Sequence, residues 1–168
     1  MCWSGDGGMV GMTDGDARFM RRAIALSCER VAAGGGPFGA VIVRDGAIVA
    51  EGWNEVTSSN DPTAHAEVMA IRRACAALGR FDLRGCAIYS SCEPCPMCLA
   101  AIYWARLEQI HFAADRTDAA AAGFDDAFLY QEIPLPVERR RIPTAQMLGA
   151  EGRAAFDLWA RAPDKIHY

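Results

Sequence analysis

From Phe19 onward, apolar side chains recur at Phe19, Ala23 and Leu26, with Met20, Ile24 and Val31 alongside. This is the spacing of one helical face, and it halts at Gly34-Gly35-Gly36. A first helix is therefore expected over about residues 13–33. The pattern then changes period. Residues 38–43 and 48–53 are apolar, largely β-branched runs separated by Arg44-Asp45-Gly46, and an Asp-Gly pair between such runs signals a tight antiparallel hairpin. Asp61-Pro62 next offers a cap followed by a proline at the first helical position, predicting a helix that ends near Gly79 and carries His65 and Glu67 in its first turns. Residues 86–91 read as a short buried strand, 94–105 as a helix with Cys95 and Cys98 in its first turn, and 110–113 as a fourth strand.

Helix, two antiparallel strands, then helix, strand, helix, strand implies an α/β fold. Helices should cover both faces of a mixed sheet in a three-layer α/β/α sandwich, with right-handed parallel crossovers. Beyond Asp115 an Ala-rich run is expected to stay helical through Phe128 to Tyr130. Pro134, Pro136 and Pro143 then punctuate the chain before a last helix around residues 149–160. Residues 1–12, rich in Gly and Met without periodicity, read as a flexible N-terminal tail, and residues 13–168 as one domain.

A chain of 168 residues suits one compact domain, and 52% hydrophobic against 23% charged residues is enough apolar surface to exclude general disorder. Seventeen Lys and Arg against 21 Asp and Glu leave a net charge of -4, the wrong sign for holding long polyanions. No Lys or Arg precedes Arg18, and Gly and Asp interrupt every early apolar run, so no export signal is expected. The longest uncharged central stretch, residues 94–105, is too short to span a bilayer. Seven cysteines in a chain of this kind are expected as thiols or metal ligands in a reducing cytoplasm.

The candidate chemistry lies in His65-Ala66-Glu67 and, 30 positions after the histidine, Pro94-Cys95-Pro96-Met97-Cys98. One imidazole and two thiolates form a ligand set that zinc favours. Three protein ligands leave a fourth tetrahedral position for water, which marks a catalytic rather than a structural site. Cys95 and Cys98 share a helical face at an N-terminus, where the dipole favours thiolates. His65 and Glu67 lie about 200° apart on an ideal helix, so they meet at one site only if the helix start points at it. Glu67 then fits as a proton carrier beside the water rather than as a ligand. Cys92 is an alternative fourth sulfur, which would make the zinc structural and the chain a noncatalytic interaction module. It also forms a Cys-x-x-Cys with Cys95.

The H-A-E and P-C-x-x-C pair is the signature of zinc-dependent base deaminases. Together with Gly36-Pro37-Phe38-Gly39-Ala40, residues 117–120 and the Gly123-Phe124-Asp125-Asp126 segment, it makes the chain resemble the cytidine deaminase-like superfamily, and within it the bacterial guanine-deaminating branch. The resemblance implies one Zn2+ per subunit on His65, Cys95 and Cys98. Glu67 and Asp126 would be the catalytic carboxylates. Asn54, Phe38, Trp104 and the Ala66 N–H would bind the base, and Tyr168 would close over it. It also implies a homodimer with an exchanged C-terminal segment, and hydrolysis of guanine to xanthine and ammonia. The bland alternatives are concrete: Asp126 as a helix cap, Asn54 as a turn residue, Phe38 and Trp104 as core aromatics. Within the superfamily, guanosine, cytosine, cytidine or an aminotriazine are alternative substrates, because pocket shape decides that choice. A tRNA adenosine deaminase is disfavoured by the charge.

Overall fold

A computed structural model of the protein describes residues 14–167, so the N-terminal tail and Tyr168 lie outside the described residues. Helix α1 spans Asp14–Ala32, strand β1 Gly39–Arg44 and strand β2 Ala47–Trp53. The two strands are joined by Asp45 and Gly46, both at positive φ (50° and 73°), the conformation a two-residue hairpin loop requires. After a one-turn helix α2 (Val56–Ser59) come α3 (Ala66–Leu78), β3 (Cys86–Cys92), α4 (Pro96–Trp104) and β4 (Gln109–Ala114). The sheet order is β2-β1-β3-β4. β1 is antiparallel to both neighbours and β3 runs parallel to β4, so the sheet is mixed as expected.

Each face of the sheet carries its own core. On one side Phe19, Ala23 and Leu26 of α1 are buried against Val41, Val43 and Tyr89. Ile24 and Val31, which the pattern placed beside that stripe, are exposed. On the other side Ala66, Ala70 and Ala74, four residues apart along α3, are fully buried against Ala40, Ile42 and Ile88, with Ile102 of α4 closing the layer. An alanine stripe lets a helix approach a sheet closely. Gly52 completes the fit, since a Cβ there would sit 2.2 Å from the Ala66 carbonyl oxygen and 2.4 Å from the Ala70 nitrogen. The start of α3 is thereby held tightly on β2.

Three local expectations are corrected. Asp61 does not cap α3: its carboxylate accepts from the Thr63 N–H (2.8 Å) and hydroxyl (2.7 Å), closing a turn, and the helix begins at Ala66 with His65 as its N-cap residue. A short polar side chain can satisfy its own loop as readily as a helix terminus. The Ala-rich run is two helices, α5 (Arg116–Ala121) and α6 (Ala127–Glu132), interrupted at Gly123 with φ +92°. After a 3-10 turn at Val137–Arg139, the last helical stretch is likewise divided into α7 (Gly149–Gly152) and α8 (Ala154–Arg161). Phe156 (73%), Ile142 (78%) and Met147 (81%) are largely exposed in this C-terminal segment, so its apolar side chains do not join the core of their own chain.

Candidate active site

Three strand ends and two helix starts converge at one edge of the sheet. Because β1 is antiparallel to both neighbours, its beginning lies beside the ends of β2 and β3, with Gly39 opposite Trp53 and Ala40 opposite Ser90. Phe38 and Asn54 continue this pairing past the strands, the Asn54 N–H donating to the Phe38 carbonyl at 3.2 Å. Here α3 and α4 both begin, and their N-cap residues are His65 and Cys95, each with extended backbone. Glu67 stands in the first turn of α3. The requirement read from the sequence, that α3 point its start at the site, is met.

His65 Nδ1 lies 3.6 Å from Cys95 Sγ and 3.5 Å from Cys98 Sγ. Tetrahedral zinc with its usual Zn–N and Zn–S bond lengths would separate nitrogen and sulfur by about 3.6 Å. All three ligand atoms fall within 4.8 Å of one another, so the residues fit the ion without rearrangement. Cys92 is not in this group; its Sγ lies 3.6 Å from the Asp115 carbonyl oxygen, and burial pushes its thiol up to about 11. Cys95 is held down to about 4, chiefly by the Cys98 thiol that donates to it and then by His65, against the effect of burial. Cys98 is pushed up, first by sharing its proton with Cys95 and then by burial. The hydrogen bond to Cys95 raises His65. Two thiols and an imidazole held this closely share protons that a divalent cation would replace.

A cavity of ≈ 290 Å³ opens beside these ligands, and Phe38, Asn54, His65, Glu67, Cys95 and Asp126 all line it. Glu67 is buried, and loss of hydration lifts its carboxyl above the usual range. Its Oε1 accepts from the Ser90 hydroxyl at 3.3 Å. Asn54 Oδ1 accepts from the Val56 N–H at 3.2 Å, which leaves its NH2 as a donor. Gly36 packs so closely on this amide that a Cβ would lie 3.1 Å from Asn54 Cγ. Phe38 meets Phe124 edge-on with ring centroids 4.9 Å apart.

The paired aspartates divide their work. Both border the cavity, but Asp125 Oδ1 accepts the Ala127 N–H at 2.9 Å at the start of α6, whereas Asp126, although the N-cap residue, makes no capping bond. Partial burial, and next the Cys95 charge, raise Asp126. Ala66 sits between two cavity residues with its side chain in the core, and its N–H belongs to the first turn, where helices have no internal partner to offer.

Trp104 does not line this cavity. It ends α4, nine residues past Cys95 and therefore about 13 Å along the helix axis, and is 67% exposed beside Trp159 and Ile166. Cys92, weighed as a fourth sulfur, lines the cavity without joining the ligand group, and the expected roster lacked residues that the fold brings in: Glu93, Arg116 and Phe124 line the cavity, and Ser90 reaches Glu67 from below. Phe124 stood in plain view in the Gly-Phe-Asp-Asp segment. Ser90 had a subtler signal, a hydroxyl on the same strand face as Cys86 and Ile88.

The family model for the cytidine and deoxycytidylate deaminase zinc-binding region matches residues 13–114. Guanine deaminase of Bacillus subtilis (strain 168) is 59% identical over 151 residues, 89% of this chain and 97% of that protein. The crystal structure of guanine deaminase from Bacillus subtilis superposes with a TM-score of 0.89 at 57% identity, covering 94% of this chain and 99% of that one. A guanine deaminase structure from Nitrosomonas europaea is more distant, with a TM-score of 0.63 and 33% identity over 69% of this chain and 66% of its own. The tRNA-specific adenosine deaminase of Agrobacterium fabrum is 47% identical, but over 46% of this chain and 51% of the relative. With three ligand atoms spaced for zinc, a buried carboxylate beside them and likeness along nearly its whole length, the chain belongs to the zinc-dependent cytidine and deoxycytidylate deaminase family.

Proposed function

We propose that the protein hydrolyses guanine to xanthine and ammonia. The observation that carries the proposal is the junction of two carboxylates, Glu67 and Asp126, with the His65, Cys95 and Cys98 group in one small cavity. Similarity to guanine deaminase over nearly the full chain supports the choice of base. A volume of ≈ 290 Å³ is at the small end of ligand pockets and suits a free base.

His65, Cys95 and Cys98 would hold the Zn2+, one per subunit, which supplies Lewis acidity that makes water a competent nucleophile near neutral pH. The remaining work falls to this chain's own groups. Attack at C2 requires water to lose a proton, ring N3 to gain one, and the departing amine to gain another. Glu67, buried with a raised affinity for protons, takes the first and returns it to N3. Asp126, also raised, faces the exocyclic amine and assists its departure. Phe38 and the Asn54 NH2 hold the ring, the Ala66 N–H offers a further donor, and Asn54 is kept in place by Val56 and Gly36. The test is ammonia and xanthine release with guanosine, cytidine, cytosine and adenine in parallel. Guanine is expected to be turned over, and Glu67→Gln to lower kcat by about 10²–10⁴-fold with zinc retained. Native-like turnover by that variant would refute the mechanism.

We also propose a homodimer in which the C-terminal segment that follows α6 is exchanged and brings Tyr168 over the partner's cavity. The exposed Ile142, Met147, Phe156 and Leu158 support it, because a segment this apolar needs a covering surface. Trp104 and Phe81, beside Trp159 and Ile166, form an apolar hollow where such a segment docks. Light scattering at the mass of two chains, with guanine turnover lost on Tyr168→Ala, is expected; a monomer with full activity would overturn the exchange. Among the described residues no helix is long and apolar enough to cross a membrane.

A further inference from the structure

Strand β3 sends alternate side chains to the two helical layers. Cys86 and Ile88 enter the core under α3 and α4, while Tyr89 enters the core under α1. The period of two places Ser90 on the α3 side, between Ala40 of β1 and Phe112 of β4 in the sheet register. A hydroxyl in this row is costly unless bonded, and Ser90 is only 2% exposed. Its neighbour Ser91 has a purely architectural task, accepting the Gly39 N–H at 3.0 Å across the sheet. Ser90 Oγ instead donates to Oε1 of Glu67 at 3.3 Å, 23 residues away in sequence.

We propose that Ser90 is a positioning residue for Glu67, holding one carboxyl oxygen so that the other stays aimed into the cavity. Glutamate has three rotatable side-chain bonds, and a proton carrier must keep its oxygen within hydrogen-bond reach of two successive partners. Besides Ser90, the Glu67 carboxyl is held by its own backbone N–H and by Cys98. The former is too local to select one rotamer, and the latter belongs to the ligand group. Ser90, fixed in the central part of the sheet with bonded strands on both sides, is the contact with no other duty. A bond of 3.3 Å is long for a hydroxyl donor, as catalytic bonds often are before substrate closes the site.

This inference rests on the reading of Glu67 as proton carrier, and its test separates the two. In the full-length zinc-loaded protein, Ser90→Ala is expected to lower kcat for guanine about tenfold, the rate equivalent of one hydrogen bond, with KM and zinc content unchanged. Ser90→Thr, which keeps the hydroxyl, recovers most of the loss. In a Glu67→Gln background Ser90→Ala costs nothing further, because both changes act through the same group. Thermal melting supplies a readout independent of turnover. Ser90→Ala lowers Tm in the native protein, where it strips a donor from a buried carboxyl. In Glu67→Ala it leaves Tm unchanged or raises it, because there it removes an orphaned hydroxyl. Unchanged kcat in Ser90→Ala, equal kcat loss in Ser90→Thr, or equal Tm loss in both backgrounds would overturn the proposal. Native kcat in Glu67→Gln would refute the role of Glu67 itself, and the melting cycle would still decide whether the two side chains are coupled.

Discussion

Replacing Gly52 by alanine tests whether the seat of α3 on β2 sets the position of the site. The added Cβ would stand 2.2 Å from the Ala66 oxygen, 2.4 Å from the Ala70 nitrogen and 2.8 Å from the Ala70 Cβ, where real Cβ contacts begin near 3.0 Å. Two of these atoms are backbone, so no flexible side chain can yield, and α3 must move outward by roughly 1 Å in a close-packed interior. His65 and Glu67 ride on that end of the helix. Misplacement of this size costs about 10²-fold in rate, and overpacking about 1–3 kcal/mol of stability, which lowers Tm by roughly 3–10 °C. Guanine turnover at 25 °C, zinc content and melting temperature would be measured for Gly52→Ala beside two comparators. Gly39→Ala meets a somewhat milder clash on the opposite face, 2.5 Å from the Ala23 oxygen and 2.8 Å from the Ser27 nitrogen of α1, a helix that carries no candidate ligand. Gly152→Ala meets nothing within 4 Å. Gly52→Ala should lose far more activity than Gly39→Ala for a similar loss of Tm, and Gly152→Ala should lose neither. Activity within threefold of native in Gly52→Ala, or equal activity losses in the two clashing variants, would refute the reasoning.

Three further outcomes are expected. Cys92→Ser should keep one zinc per chain by metal analysis, because the sulfur lies outside the ligand group; zinc loss would show a fourth ligand. Asp125→Ala should cost about 0.5–2 kcal/mol of local or global stability through the lost cap and leave kcat nearly native. Asp126→Ala should do the reverse, and a common effect of the two would dissolve that division. The Arg22 guanidinium, bonded to Glu51 at 2.7 Å and 2.8 Å, holds that carboxyl below its ordinary range. A depressed carboxylate stabilises the fold fully above its unfolded pKa, about 4.3, and the gain is lost as pH falls through the folded value. Glu51→Gln should therefore lower Tm slightly at pH 7, less at high salt because the pair is partly exposed, and the gap to the native protein should close toward pH 3. A gap that persists there would place the effect in packing.

What could be read before the structure follows from how local each cause is. The Asp45-Gly46 turn and the Phe19, Ala23, Leu26 stripe depend on neighbours in sequence, and both emerged where expected. The ligands were legible because a soft-metal set leaves few other uses for His65, Cys95 and Cys98 at a helix start. Asp61 misled because a capping residue and a turn residue are the same chemistry until the backbone chooses. The break in the Ala-rich run hung on Gly123, which a helix tolerates at modest cost and a left-handed residue welcomes. Trp104 was placed by likeness alone, and nine residues of helix carry it away from the cavity of its own chain.

Ser90 and Gly52 show why the supporting residues were harder to see than the ligands. Their roles exist only in the register: Ser90 faces Glu67 because β3 stands between β1 and β4 in one phase of its alternation, and a one-residue slip would turn it toward α1. Gly52 matters because the bare backbone of β2 lies under the fully buried Ala66 and Ala70. The same antiparallel placement of β1 brings Phe38, Asn54 and the end of β3 to one edge, where two helices begin with ligands as their N-cap residues. The ligands thus sit where backbone geometry is set by the sheet rather than by a loop. A change in strand register would dismantle the candidate metal group and the cavity beside it together.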